Sequence, residues 1–324
     1  MDNALVLFES DPGFRKELQG ILEGYNVIFN ESESTASISA ETAKNTTVIF
    51  GNPDADFLKL CPRLTWLQLQ SSGANDFVNG EVAQTVQLTS ATGCYGHSVS
   101  EHMVALTLAL MKNLHLYRDE QAAGRWQSRG ATKSVDGAVV VIAGLGDIGA
   151  RYARLMKALG AYIIGVRRSV QTKPGCVDEL LPSSQIEEAL PRADVVALVV
   201  PATKDTKGLI GRAQLAKMKK DAILINAGRG SAVDTQALCD ALKAGNLGGA
   251  GLEVTDPEPL PPGHPLWGME NVFITPHVSG GRYMPQTYQY IMKLNLENAR
   301  RFVRGEALES LVDYKTGFCF PKKT

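Results

Sequence analysis

Three ionisable residues in the last third of the sequence have the types and spacing for chemistry on a carbonyl group. Arg229 lies in NAGRG, Glu258 in EPLPPGHPLW and His277 in ITPHVSG, each after an apolar run. Such runs predict strands, so the three side chains are expected to converge at one edge of a sheet. A cation, an imidazole and a carboxylate beside that imidazole suit the reduction of a carbonyl group next to a carboxylate. Taken singly, each residue also has a plain explanation as a surface, turn or core residue.

Composition places the chain among ordinary globular proteins. Its 324 residues favour two domains, and 33 basic against 34 acidic residues give a net charge of −1, which favours neither nucleic acid nor a membrane surface as partner. The N-terminal MDNALVLFESD lacks the features of a signal peptide, so we expect a cytoplasmic protein without a membrane span. The five cysteines lack metal-binding spacing and are odd in number, which predicts reduced thiols and no metal site.

Apolar runs alternate with helical patterns along the whole chain, which predicts parallel βαβ units. The first series of predicted strands covers residues 4–8, 27–29, 47–50 and 66–70; the second covers 138–143, 162–166, 195–200, 223–226, 250–254 and 272–275. The fold class expected is therefore α/β, with two Rossmann-like doubly wound domains. One domain comprises residues 1–97 plus 285–324, and the other, residues 98–284, is inserted into it.

Two long helices are predicted at the junctions of these domains. The segment SVSEHMVALTLALMKNLHLYRDE is apolar on nearly every side and predicts one long buried helix, which Ser98 or Ser100 would cap. From about residue 283 an amphipathic pattern predicts a last helix with basic residues near its C-terminus.

The cofactor signal is the sequence GLGDIG. Gly144, Gly146 and Gly149 form a GxGxxG pattern between an apolar run and a helical pattern, which is the context that this otherwise weak motif requires. The spacing predicts a tight turn, a close approach of backbone to a pyrophosphate and tight packing of helix on strand. Asp147 and Ile148 complete the loop at the helix N-terminus, where phosphate oxygens bind.

The end of the next strand indicates which dinucleotide is used. Arg167, Arg168 and Ser169 stand where an acidic residue would bind the ribose of NAD. Guanidinium groups match a phosphate dianion, so we expect NADP(H) to be preferred, with NAD(H) possible. The alternative is that one arginine stacks on adenine or is solvated, which would give dual specificity.

These motifs resemble the D-isomer-specific 2-hydroxyacid dehydrogenases. GLGDIG, INAGRGSAVDTQALCDALKAGNLGGAGLEV, EPLPPGHPLW and ITPHVSG carry the resemblance, which covers essentially the whole chain and is closest to NADPH-dependent glyoxylate/hydroxypyruvate reductases. It implies that Arg229 holds the substrate carboxylate and polarises the keto oxygen, that His277 is the acid/base, and that Glu258 pairs with His277. The expected activity is reduction of a small 2-ketoacid to the D-2-hydroxyacid by a homodimer with a flavodoxin-like substrate lobe.

The resemblance also places the remaining contacts. Backbone groups of Ser72, Gly73 and Ala74 would bind substrate together with Arg229 and His277. Further cofactor contacts are expected from Pro201, Thr206, Ala227, Gly228, Glu253, His277 and Gly280. The remaining histidines, among them His102, match no catalytic position and are expected to be structural.

Two departures from the family pattern bear on specificity. Glu253 stands where an aspartate is usual, and Arg282 and Tyr283 replace smaller residues at a position that could line the substrate pocket. A different class of function stays open, because some relatives of this fold are nucleotide-sensing corepressors that keep the same residues. Turnover of a 2-ketoacid would distinguish the two.

Overall fold

A computed structural model describes residues 1–32, 34–78, 80, 82–281 and 284–319. The chain divides into two compact units, Met1–Tyr95 with Met284–Thr324, and Gly96–Tyr283. Arg282 and Tyr283, which the sequence analysis places near the substrate, lie outside the described residues. Among the described residues, no helix combines the length and the apolar character needed to cross a membrane.

The first unit is built on a parallel five-stranded sheet. Its strands are β1 (Asp2–Val6), β2 (Tyr25–Phe29), β3 (Thr46–Phe50), β4 (Trp66–Gln68) and β5 (Gln87–Thr89), in the order β2-β1-β3-β4-β5. This is the flavodoxin-like order. The helices between the strands are α1 (Pro12–Ile21), α2 (Ala40–Lys44) and α3 (Ala55–Lys59), and the later α10 (Pro285–Val303) packs against α1. A short antiparallel pair, β13 (Val312–Asp313) and β14 (Phe318–Cys319), follows α10.

Both faces of this sheet are covered, as expected for parallel strands. Along β1, Ala4 and Val6 pack in one apolar cluster, which includes residues of α10, while Leu5 lies in the cluster on the opposite face. The alternation shows why the strand sequence is apolar at nearly every position.

The second unit contains a parallel seven-stranded sheet. Its strands are β6 (Val139–Ala143), β7 (Tyr162–Arg167), β8 (Glu179–Pro182), β9 (Val195–Leu198), β10 (Ile223–Asn226), β11 (Gly249–Leu252) and β12 (Val272–Ile274). The order β8-β7-β6-β9-β10-β11-β12 is that of a dinucleotide-binding sheet with one strand added. Six of these strands are predicted from the sequence. The seventh, β8, is not, because it is a half-buried edge strand that ends in proline and has too few apolar residues to stand out.

The helices of this unit are α4 (Gly96–Met111), α5 (Leu114–Ala122), α6 (Asp147–Ala158), α7 (Ile186–Ala189), α8 (Arg212–Leu215) and α9 (Thr235–Lys243). The single long helix predicted from Ser98 was wrong, because Asn113 adopts a left-handed conformation, φ 54°, and separates α4 from α5. The predicted caps were also wrong. The helix begins before Ser98, and Ser98 and Ser100 are buried inside it.

Candidate active site

The three ionisable residues singled out from the sequence lie on one unit and follow adjacent strands. Arg229 follows β10, Glu258 follows β11 and His277 follows β12, and these strands are parallel neighbours in register. Their following loops therefore leave the sheet at the same edge. This is the edge at which open α/β sheets bind ligands.

His277 and Glu258 form a direct pair. Nδ1 of His277 lies 2.6 Å from Oε1 of Glu258, and the two side chains are 52% and 40% exposed. Because a carboxylate only accepts hydrogen bonds, Nδ1 must carry the hydrogen in this contact. Nε2 is then the ring nitrogen available to exchange a proton with a bound molecule.

The backbone holds His277 in a conformation that few residues other than glycine adopt. Its φ is 53°, in the left-handed region. The N–H of His277 donates to the carbonyl oxygens of Glu253 at 3.1 Å and Thr275 at 3.0 Å. The two bonds fix the turn that presents the imidazole.

Arg229 is positioned by the two glycines on either side of it. A Cβ atom added at Gly228 would lie 2.7 Å from the carbonyl oxygen of Val200, and one added at Gly230 would lie 1.8 Å from that of Thr255. Backbone therefore packs on backbone at both neighbours, which leaves no room for larger residues there. Arg229 is half-buried, and its Nη1 donates to the carbonyl oxygen of Gly228 at 2.7 Å.

A second carboxylate lies behind this edge. Glu253, directly after β11, is 2% exposed, and its Oε1 accepts a 2.5 Å hydrogen bond from the N–H of Ser279. Its Oε2 accepts from the hydroxyl of Thr275 and lies 3.3 Å from Nε2 of His102. Burial raises the pKa of this carboxyl, but hydrogen bonds from His102, Thr275 and Ser279 outweigh that effect and lower it to about 2.

The contact between Glu253 and His102 is not predicted from the sequence, which instead predicts a cofactor contact for Glu253 and a structural role for His102. His102 lies on α4, far away in the sequence, and no local pattern links it to β11. The only available signal was the glutamate itself, an ionisable residue at the end of a buried strand.

The glycine loop has the shape of a dinucleotide cradle. Gly144 has φ 95°, and a Cβ atom there would lie 2.4 Å from the carbonyl oxygen of Val199. At Gly149 a Cβ atom would lie 1.9 Å from the carbonyl oxygen of Gly144, whereas at Gly146 it would meet nothing within 4 Å. Gly144 and Gly149 are therefore needed for packing, and Gly146 leaves open space at the start of α6. A pyrophosphate at that point would meet the first N–H groups of α6, which lack intrahelical partners.

Asp147 and Ile148, also predicted to contact the cofactor, begin α6. The Asp147 carboxylate accepts from Nε of Arg151 at 3.0 Å. It also packs against Gly96, where a Cβ atom would lie 2.1 Å from its Oδ2. The charge of Asp147 is thus offset by Arg151, which makes an acidic residue compatible with phosphate nearby.

The predicted dinucleotide-selecting residues lie at the end of β7, the strand next to β6. Arg167 is half-buried, and its Nε donates to the carbonyl oxygen of Ser169, while Arg168 and Ser169 are exposed. The pair of guanidinium groups is therefore placed one strand away from the glycine loop.

The remaining predicted cofactor contacts follow β9, β10 and β12. After β9, the Thr206 hydroxyl donates to the carbonyl oxygen of Pro201 at 2.5 Å and accepts from the N–H of Thr203 at 2.9 Å, which closes a tight loop. After β10, Ala227 is buried, and the position of Gly228 has no room for a side chain. Gly280 is half-buried beyond Ser279.

The predicted substrate loop lies in the other unit, after β4. The Ser71 hydroxyl donates to the carbonyl oxygen of Gly73 at 2.7 Å, and Asn52 accepts from the N–H of Gln70 at 2.8 Å. Ser72 is exposed, Gly73 half-buried and Ala74 buried. These bonds give the loop a defined shape within its own unit.

Comparisons with known proteins agree with this arrangement. Residues 104–279 match the model of the D-isomer specific 2-hydroxyacid dehydrogenase, NAD binding domain. Glyoxylate reductase of Korarchaeum cryptofilum is 32% identical over 80% of this chain and 79% of its own length. Glycerate dehydrogenase of Methylorubrum extorquens is 33% identical, over 78% and 80%.

A solved structure extends the similarity to the complete fold. The D-isomer specific 2-hydroxyacid dehydrogenase of Xanthobacter autotrophicus, determined with NADPH and MES, has 26% sequence identity and a TM-score of 0.81. The match covers 98% of this chain and 100% of that one. The resemblance noted in the sequence and the predicted α/β class are thereby confirmed. The chain belongs to the D-isomer-specific 2-hydroxyacid dehydrogenases and is an oxidoreductase that uses a nicotinamide dinucleotide.

Proposed function

We propose that this chain reduces a small 2-ketoacid, such as glyoxylate or hydroxypyruvate, to the D-2-hydroxyacid, with NADPH as the preferred reductant. The observation that carries the proposal is the 2.6 Å contact of His277 with Glu258 at the sheet edge that also presents Arg229. The named activities of the glyoxylate reductase and glycerate dehydrogenase relatives support the substrate class.

The roles follow from the chemistry of each side chain. Arg229 binds the substrate carboxylate, because a guanidinium offers paired donors to two oxygens. His277 gives the proton on Nε2 to the keto oxygen as negative charge develops there, and Glu258 stabilises the imidazolium through Nδ1. When bound, the nicotinamide would supply the hydride for the keto carbon. Solvent can return the proton to His277, since the ring is 52% exposed.

Backbone N–H groups of Ser72, Gly73 and Ala74 are proposed to bind the same carboxylate. The unit that carries them, predicted as 1–97 plus 285–324, would be the substrate lobe, and 98–284 the cofactor lobe. A homodimer and a cytoplasmic location stay predictions, and light scattering of the purified protein would measure the oligomeric state.

The test of the activity is a panel of 2-ketoacids, with NADPH oxidation followed by absorbance. We expect turnover with at least one small 2-ketoacid and a loss of kcat of about 100-fold or more in His277→Ala, the range of general acid catalysis. NADPH binding and the melting temperature should be retained in that variant. Absence of turnover across the panel would favour the nucleotide-sensing alternative, and an active His277→Ala would remove His277 from its role.

The preference for NADPH has its own test. Arg167 and Arg168 can each donate to a 2′-phosphate, and a hydrogen bond between charged groups contributes about 1.5–3 kcal/mol. Replacing either by alanine should therefore lower kcat/KM for NADPH about 10-fold or more and leave NADH nearly unchanged. Arg154→Ala removes the same charge from an exposed position on α6 and serves as the control. A wild-type ratio of kcat/KM for NADPH over NADH below one would contradict the preference.

A further inference from the structure

The carboxylate of Glu253 is buried and accepts hydrogen bonds from the segment that carries His277. Its side chain accepts hydrogen bonds from the Ser279 N–H at 2.5 Å and from the Thr275 hydroxyl, and its backbone carbonyl accepts from the His277 N–H at 3.1 Å. One residue thus contacts segment 275–279 before, at and after the imidazole. Both carboxylate oxygens are already engaged within the protein.

His102 completes the set of donors from another element. Its Nε2 lies 3.0 Å from the Thr275 hydroxyl and 3.3 Å from Oε2 of Glu253. The single hydroxyl hydrogen of Thr275 is directed at Glu253, so the Thr275 oxygen must accept from His102, and Nε2 of His102 carries a hydrogen. The single Nε2 hydrogen of His102 is shared between the Thr275 oxygen and the more distant Oε2 of Glu253, so donors from His102, Thr275 and Ser279 converge on one carboxylate.

Only an ionised carboxyl satisfies this arrangement. A carboxylate accepts hydrogen bonds at both oxygens, whereas a protonated acid or an amide would direct a hydrogen at one of the three donors. The burial of Glu253 makes such a mismatch costly, because an unpaired buried polar group forfeits its hydration without compensation. The lowered pKa of Glu253, about 2, keeps the group ionised at neutral pH.

We propose that Glu253 is a positioning residue that holds segment 275–279, and with it the left-handed turn at His277, in the geometry for proton transfer, with His102 as its anchor on α4. The inference rests on the proposed function, in which His277 is the acid/base. It replaces the expectation that Glu253 contacts the cofactor, since both of its oxygens are turned to the His277 segment.

The test is Glu253→Gln, which keeps the size of the side chain and offers one acceptor oxygen to three donors. Displacement of a reacting group by about 1 Å costs up to about 100-fold in rate, so kcat should fall about 10- to 100-fold while the Kd for NADPH changes by less than about twofold. Glu101→Gln makes the same change at an exposed position beside His102 and should leave both values as in the wild type. A rise in the NADPH Kd with unchanged kcat would overturn the proposal in favour of a cofactor contact.

A double substitution separates positioning from general damage. In a His277→Ala background there is no imidazole left to position, so adding Glu253→Gln should not lower the residual rate further. A purely structural role would lower the rate equally in both backgrounds, and that result would overturn the proposal. If His277→Ala alone retains activity, the proposed function fails. If His277→Ala is inactive while Glu253→Gln is fully active, only the positioning role fails.

Thr275→Val provides a second route if Glu253→Gln does not fold. It removes the hydroxyl donor with little change of shape and leaves the carboxylate paired with Ser279 and His102. Losing one of several hydrogen bonds to the segment should lower kcat about 3- to 10-fold, with the NADPH Kd retained. An unchanged kcat in Thr275→Val would contradict the positioning role.

Discussion

Replacing Glu258 by glutamine tests how much the carboxylate contributes to proton transfer from His277. Two opposite unit charges about 4 Å apart interact by about 4 kcal/mol at an effective dielectric constant of 20 and by about 1 kcal/mol in water. The side chains are 52% and 40% exposed, so solvent screening moves the interaction towards the weaker value. We therefore expect about 1–2 kcal/mol of lost transition-state stabilisation, which lowers kcat/KM for ketoacid reduction about 5- to 30-fold.

A second effect acts in the same direction. The amide N–H₂ of glutamine can donate to Nδ1 only when the His277 ring is neutral and carries its hydrogen on Nε2. A glutamine in this position therefore favours the neutral ring and no longer stabilises the imidazolium. The loss should therefore fall mainly on kcat, since the interaction strengthens in the transition state.

The assay is steady-state reduction of the best 2-ketoacid at neutral pH, with NADPH saturating. Asp256→Asn is the matched control, because it removes one negative charge from an exposed position of the same loop. If both variants lose activity equally, the effect is one of overall charge. If Glu258→Gln retains kcat within about twofold of wild type, the 2.6 Å pair has no catalytic part and the reasoning from geometry is refuted.

Three further predictions follow from the same structure. Gly146→Ala should keep the melting temperature of the free protein and weaken NADPH binding, because its Cβ enters the open space proposed for the pyrophosphate. Gly149→Ala should lower the melting temperature, since its Cβ would lie 1.9 Å from a backbone oxygen. Calorimetry with and without NADPH measures both effects, and equal behaviour of the two variants would contradict the assignment of the glycine loop to the cofactor. Arg229→Lys should lower kcat/KM about 10- to 100-fold, because an ammonium cannot supply paired donors, and activity near wild type would count against carboxylate binding. The pKa of Glu253 is lowered to about 2 from 4.5, so the stabilising effect of its ionised form is present above about pH 4.5 and is lost as pH falls towards 2. The difference in unfolding free energy between wild type and Glu253→Gln, measured by urea titration, should therefore be about 2 kcal/mol smaller at pH 3 than at pH 7. A pH-independent difference would contradict the lowered pKa.

Much of the fold could be predicted from the sequence because its parallel strands are buried on both faces. Such strands are continuous apolar runs, and the run before Arg229 coincides with β10, which is buried at every position. The edge strand β8 was missed because half-burial requires fewer apolar residues. The break at Asn113 was missed because a left-handed residue interrupts a helix without changing its apolar pattern.

The candidate site was predictable where its chemistry is local in sequence. The glycine loop and the Arg229 segment owe their shape to neighbouring residues, so motifs describe them well. The contacts of Glu253 were not predictable, since His102 comes from α4 and Ser279 donates its backbone N–H, which no residue type reveals. Periodicity reports which side of an element is buried and does not report which distant polar atoms meet there.

The two reactive side chains are held by different physical means, and each suits its task. Arg229 must present a rigid fork, and the glycines beside it fix the backbone by close packing, while the Gly228 carbonyl oxygen holds Nη1 of the guanidinium. His277 must hold a ring at a set angle while its proton exchanges with solvent, so the ring is exposed. The His277 N–H donates to the backbone carbonyl of Glu253, whose buried carboxylate accepts hydrogen bonds from Thr275 and Ser279 on either side of the imidazole. Substitutions at the glycines should therefore damage binding of the carboxylate first, whereas substitutions at Glu253 should damage proton transfer first. The reacting groups can thus stay accessible at the surface, because the groups that orient them are fixed inside the protein. Glu253 is a buried, ionised carboxylate, and the glycines beside Arg229 are packed against backbone.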